Sequence, residues 1–202
     1  MCRVAGAMLC AAVLTSGGDV AAQEGVVRHE YAIKAGVIKV LGKCVTWPTP
    51  AAPSRDEPLT IGILGKDPFF ENGVNQLDRA IAEENLKGGN IVVKRFSSAK
   101  DYEPCHILFV SSLAADEGVE MTVDERIKAA AEITNGSTVL IVGESAGLAV
   151  QGAIANLLFD RATNLVRLEI NPDAAARAGL KLSPDLLRLK LVMIVRDSPV
   201  RR

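Results

Sequence analysis

Four short apolar runs constrain this chain more than anything else in it: PLTIGILG (58–65), NIVVKRF (90–96), HILFVSS (106–112) and TVLIV (138–142). Each is rich in β-branched residues and too short for a buried helix, so each reads as a strand covered on both faces. Helical patterns lie between them. Asp67-Pro68 opens one in a cap-then-first-turn arrangement, with Phe69, Val74, Leu77 and Ile81 as its inner face. A second runs from about Thr122 to Thr134, and Asn135-Gly136 turns it into the fourth strand. Strands alternating with helices build an α/β three-layer sandwich: a mostly parallel sheet with helices on both faces.

The flanks complete the outline. Residues 24–46 carry a broad apolar stripe that includes Tyr31, Val37, Ile38, Leu41 and Cys44, and Trp47-Pro48 ends it. A Pro-rich connector fills 48–58. Near the other end, AIANLLF (153–159) and LVRLEI (165–170) flank the turn-rich DRATN and read as a C-terminal β-hairpin. Asn171-Pro172-Asp173 caps a short helix that stops at Gly179. Ser183-Pro184-Asp185 is expected to cap a final apolar helix, LLRLKLVMIV.

Residues 1–22 have the three parts of a secretion signal in order: Arg3, the apolar stretch Val4 to Leu14, and small residues at Val20-Ala21-Ala22. The expectation is an exported, periplasmic protein with 23–202 as one α/β domain. No later run reaches the ~18 apolar residues of a membrane span. A net charge of −1 over 202 residues gives no pull toward nucleic acid. Export leaves Cys44 and Cys105 in an oxidising compartment. If paired, they close a loop of about sixty residues, worth about 4 kcal/mol of chain entropy; otherwise they are two buried free thiols. The sequence leaves both open.

VLIVGESAG (139–147) contains the G-x-S-x-G spacing of a nucleophile elbow, with Ser145 in the nucleophile's place. An acyl-transfer serine needs a base, normally a histidine that follows it in elbow enzymes. Only His29 and His106 exist, and both precede Ser145. Lys181 and Lys190 have no recognisable spacing to it. Both glycines then serve a tight strand-to-helix turn and Ser145 caps the helix. No phosphate-cradling loop follows the first strand, and two cysteines and two histidines lie scattered without ligand spacing, so neither a cofactor nor a metal is expected.

Several blocks together resemble one family. KAGVIKVLGKCVTWP is similar to the first helix of YfiR-like periplasmic proteins, close to KAAFLYNFAKFVEWP. PLTIGILGKDPF resembles their first strand and CHILFVS their third. VRLEINPDAAARAGLKLSPDLLRL resembles their most distinctive motif, approximately RFEIN-x-x-AA-x-x-AGLKLS-x-x-LL. The blocks keep their order over almost all of 23–202, and the family's VGD-x-x-G segment makes the serine motif a variant of a non-catalytic loop.

The resemblance implies a non-enzymatic periplasmic repressor that binds the sensory domain of an inner-membrane diguanylate cyclase or sensor kinase, with a homodimer as a further assembly. A periplasmic small-molecule sensor with its ligand near Gly65, Ser111 and Gly143 is the alternative reading, and a hydrolase using Ser145 the third. Members of the family often carry a first-strand cysteine that pairs with the cysteine of the CH motif. Gly62 occupies that strand here, and Cys44 stands where the pattern has an aromatic, so redox control through Cys105 lacks its usual partner. Arg167, Glu169 and Asn171 alternate along a strand and should share a face. They form either a polar patch for a partner or ligand, or a helix cap at Asn171 beside an Arg167–Glu169 ion pair.

Overall fold

The computed structural model describes residues 18–71, 73–113 and 121–197; the expected leader lies outside them as far as residue 17. Helix α1 (Gly18–Cys44) leads into a short strand β1 (Val45–Thr46). Strand β2 (Leu59–Leu64) follows the connector, then a small hairpin, β3 (Phe70–Glu71) and β4 (Val74–Asn75), and helix α2 (Gln76–Asn85). Next come β5 (Ile91–Phe96), β6 (Ile107–Val110), α3 (Val123–Ile133) and β7 (Leu140–Gly143). The chain closes with β8 (Ala155–Asp160), β9 (Leu165–Ile170), α4 (Pro172–Arg177), β10 (Lys181–Leu182), α5 (Pro184–Leu187) and β11 (Val192–Ile194).

Seven strands form the main sheet in the order β11-β9-β8-β7-β6-β2-β5. The pairs from β5 through β8 are parallel, β8 and β9 form the antiparallel hairpin, and β11 returns parallel to β9. This is the mostly parallel α/β architecture the sequence predicts. Every residue of β2, β6 and β7 is buried, as befits strands sandwiched between two layers. On one face Ile61, Ile63, Phe109 and Val142 pack with Ile38 and Leu41 of α1 and Leu77 and Ile81 of α2. On the other face Leu64, Leu108, Val110 and Ile141 pack with Ile127 and Ala130 of α3. Strand β9 instead alternates: Val166, Leu168 and Ile170 are buried, while Leu165 and Arg167 are exposed. Helix α3 contacts β6 and β7.

Three local expectations need correction. Asp67-Pro68 does not open a helix. Asp67 Oδ1 accepts from Phe69 N in a tight turn and its Oδ2 accepts from Asn75 Nδ2 at 2.7 Å. The cap belongs to Asn75, whose Oδ1 accepts from Asp78 N; Phe69 is buried, but Val74 is exposed. The final apolar run is not a helix either. Ser183 caps as expected, yet α5 stops at Leu187, and Val192–Ile194 pairs with Leu168–Ile170. A ten-residue apolar run has no decisive period, and the open edge of β9 offers its backbone a ladder. The segment after the serine motif makes only a 3-10 turn, Leu148–Val150, with Gly147 at its start (φ 84°) and no side-chain cap.

Candidate functional site

Parallel α/β sheets concentrate polar chemistry where the strands end at their carboxyl side, above all where the chain leaves one strand in opposite directions. Here β2 is flanked by β5 and β6, and that crevice is bounded by Gly65, by Ser111 and Ser112 after β6, and by Glu144 after β7. Glu144 is the centre of a buried polar cluster. Its Oε1 accepts from Ser112 N and its Oε2 from Lys34 Nζ, both at 2.7 Å. Lys34, on the inner face of α1 and 2% exposed, also pairs with Glu30 at 2.6 Å and sits 4.8 Å from the centroid of the Tyr31 ring. Burial, and then the Glu144 and Glu30 carboxylates, push the Tyr31 phenol far above its ordinary pKa. Arg126 of α3, likewise buried, donates to the carbonyls of Ser111 and Met121. Opposite charges in reach of one another satisfy each group in a dry setting, so the cluster clamps α1 to the strand ends.

The clamp explains the serine motif. Within GESAG the buried, multiply bonded side chain is Glu144, not Ser145. Ser145 is half-buried, and it is its carbonyl that accepts a bond, from Asn156 Nδ2 at 2.7 Å. His106 lies at the start of β6, whereas Ser145 follows the end of the parallel β7, so they stand at opposite ends of the sheet. The His106 Nδ1 accepts from Thr60 N at 3.0 Å, and its ring meets Trp47 edge-on. Ser145 therefore neither caps a helix nor meets His106.

The predicted trio does not assemble. Asn171 is buried: its Oδ1 accepts from Asp173 N and Ala174 N as the cap of α4, and its Nδ2 donates to Ala149 O and Asp197 Oδ1. Glu169 Oε2 accepts from the buried Asn156 Nδ2 at 2.8 Å. Arg167 is exposed and reaches Asp160 at 3.4 Å rather than Glu169. Only Arg167 and Glu169 share a face, beside exposed Leu165 and Met193. Cys44 and Cys105 are both free thiols and belong to different cores, Cys44 against the α1 side and Cys105 on the α3 side. Burial pushes the Cys105 thiol up to about 11, which keeps it protonated and unreactive at neutral pH.

Sequence reasoning missed Lys34, Glu144, Arg126 and Asn156. Lys34 alone left a signal: it falls three residues after Tyr31 and four before Ile38, inside the apolar stripe rather than opposite it.

The sequence matches the family described as YfiR/HmsC-like over residues 31–190. No curated protein matches it. Among solved structures it is similar to a conserved domain protein from Vibrio cholerae O1 biovar eltor str. N16961, at 15% identity and TM-score 0.46, over 83% of this chain and 60% of that one. It is also similar to an ABC domain from Streptococcus pneumonia solved with L-Trp, at 12% identity and TM-score 0.47, over 82% of this chain and 60% of that one. The chain thus spans about 60% of the length of these structures. Among the described residues no helix is long and apolar enough to cross a membrane, and no cluster of three or more His, Cys, Asp or Glu could hold a metal ion.

Proposed function

The chain belongs to the YfiR/HmsC-like family, and on that premise we propose that it is a periplasmic, non-enzymatic regulator that binds the periplasmic sensory domain of an inner-membrane signalling protein, of the diguanylate cyclase type, and holds it inactive. The match over residues 31–190 carries this reading. Two features of the molecule agree with it. The GESAG carboxylate is committed to a structural clamp, and His106 stands at the opposite end of the sheet from Ser145, where it cannot act as that serine's base. The face of β9 and β11 that carries Leu165, Arg167, Glu169 and Met193 is a mixed surface, with exposed apolar side chains beside Arg167 and its Asp160 partner.

The partner docks on that face in this reading. The test is binding of the full chain to the periplasmic domain of a diguanylate cyclase from the same cell, by biolayer interferometry, together with cellular cyclic-di-GMP. Arg167→Glu places a like charge against whatever pairs with the guanidinium, and should weaken binding at least tenfold and raise cyclic-di-GMP. The melting temperature should hold, because Arg167 is exposed and its pair with Asp160 contributes only about 0–1 kcal/mol. Binding that the substitution leaves unchanged moves the interface elsewhere. Cyclic-di-GMP that does not respond to deletion of the protein ends the cyclase reading.

A further inference from the structure

The main sheet ends in β11 on one side and β5 on the other, and the two edges are finished differently. At β5 the guard is a fixed side chain. Asn85 donates from Nδ2 to the Ile91 carbonyl at 2.8 Å and accepts from Ile91 N at 3.0 Å, filling edge positions that a further strand would use. The edge of β9 has β11 over it instead. Three residues, Val192, Met193 and Ile194, pair with Leu168, Glu169 and Ile170, and Met193 and Ile194 stay 51% and 42% exposed. Past them a polar latch holds the segment: Arg196 pairs with Asp173, and Asp197 accepts from Arg177 and from Asn171 Nδ2. Both guanidiniums are largely exposed, so these ion pairs hold weakly. The stretch that matches the family, 31–190, includes β9, Asn171, Asp173 and Arg177 but stops short of β11 and Asp197. It contains the sockets and not the strand that fills them.

We propose that the β9 edge is a strand-acceptor surface, which β11 occupies in the resting chain and which an extended segment of a protein partner takes over by displacing it. What retains β11 specifies the incoming strand. Leu168 N donates to the Leu191 carbonyl and Val195 N to the Ile170 carbonyl, ladder bonds that any strand can make whatever its sequence. Selectivity comes from the side chains: apolar residues in the places of Val192 and Ile194, then an acid in the place of Asp197 to accept from Asn171 and Arg177. The exchange replaces each bond by one of the same kind. The tethered β11 competes at a high effective concentration, so a better-matched strand displaces it and a poor one does not. Only the assignment of the incoming strand to a sensory domain rests on the regulator reading; the exchange itself is a property of this chain.

The probe is a fluorescein-labelled peptide, LKLVMIVRDS, a copy of residues 189–198, used with hydrogen exchange of the full chain read by NMR. Asp197→Arg sets a like charge against Arg177 and should open the latch. The Leu168 amide, which faces β11, should then exchange at least tenfold faster, while the Arg167 amide, which faces β8, keeps its rate. The peptide should bind Asp197→Arg at least tenfold more tightly than wild type by fluorescence anisotropy, and excess unlabelled peptide should restore protection at Leu168. A peptide ending RKS in place of RDS should bind at least fivefold more weakly. If Asp197→Arg does not fold, Asp197→Ala should move both readouts in the same direction by a smaller factor. Unchanged exchange at Leu168 overturns the proposal, and so does equal binding of the peptide by wild type and variant, or of the two peptides by the variant. Peptide binding that leaves Leu168 unprotected overturns it too, because the strand then sits elsewhere. None of these readouts contains a cyclase, so failure of the cyclase-binding assay counts against the regulator reading alone.

Discussion

Replacing Glu144 with glutamine keeps the shape of the side chain and its bond to Ser112 N, and removes the charge facing Lys34. A buried cation left without its partner is among the costliest single changes, about 3–5 kcal/mol. Glu30 still offers Lys34 a second carboxylate at 2.6 Å, so the loss for Glu144→Gln should fall at the lower end, about 3 kcal/mol in denaturant unfolding. Ser145→Ala, one residue on, should change stability by less than about 0.5 kcal/mol. Equal effects at the two positions would mean the clamp is not what the GESAG segment serves. His106 predicts a pH dependence. Burial holds its pKa below the ordinary value, against Glu57 and the Ala51 carbonyl, which favour the proton. A proton on Nδ1 would also face the Thr60 N–H. The unfolded chain takes up its proton near pH 6.5 and the folded one only at lower pH. Stability is therefore full above about 6.5 and declines as pH falls through the folded value. Thermal melts from pH 7.5 to 5 should show the decline, and His106→Asn, which keeps an acceptor for Thr60, should flatten it.

Between elements, β2 and the entry to β6 meet at Gly62. A Cβ built there lies 3.1 Å from Cys105 Sγ, close to the roughly 3 Å between a Cβ and its partner sulfur that disulfide geometry imposes, but only 2.6 Å from Phe96 Cε2. Gly62→Cys should thus form a bond to Cys105 under oxidation if the Phe96 ring yields, and closing that loop is worth about 4 kcal/mol of chain entropy before the ring's displacement is subtracted. Loss of the Cys105 thiol from a titration of the unfolded protein reads the outcome; an undiminished thiol count means the ring holds. The same neighbourhood shows what a sequence can disclose. The buried strands β2, β6 and β7 were legible because covered parallel strands are apolar at every position or nearly so, and few other structures are. Strand β11 was not, since an apolar run carries no mark of whether a sheet edge awaits it. Nor was the start of α2: Asp67 and Asn75 are both good caps, and only the β3–β4 hairpin between them decides which is used.

Over the whole molecule, the site was less legible than the fold. Alternation along β9 was read correctly, but the reading had no access to Asn156 across the hairpin, which takes Glu169 out of any patch, or to the tail residue Asp197, which with Ala149 holds Asn171 inside. The clamp joins residues 110 positions apart, a pairing that no local pattern announces. That separation has a consequence for the order of synthesis. Helix α1 is made well before β7, and a nascent chain that docks it before Glu144 has emerged buries Lys34 with only the half-covered Glu30 beside it. The first of the described helices in the sequence is then among the last to settle. Proteolysis of ribosome-stalled chains should find α1 cleavable in fragments ending at residue 137 and protected once residue 170 is clear of the ribosome. Protection of the shorter fragment would show that α1 docks without its distant carboxylate.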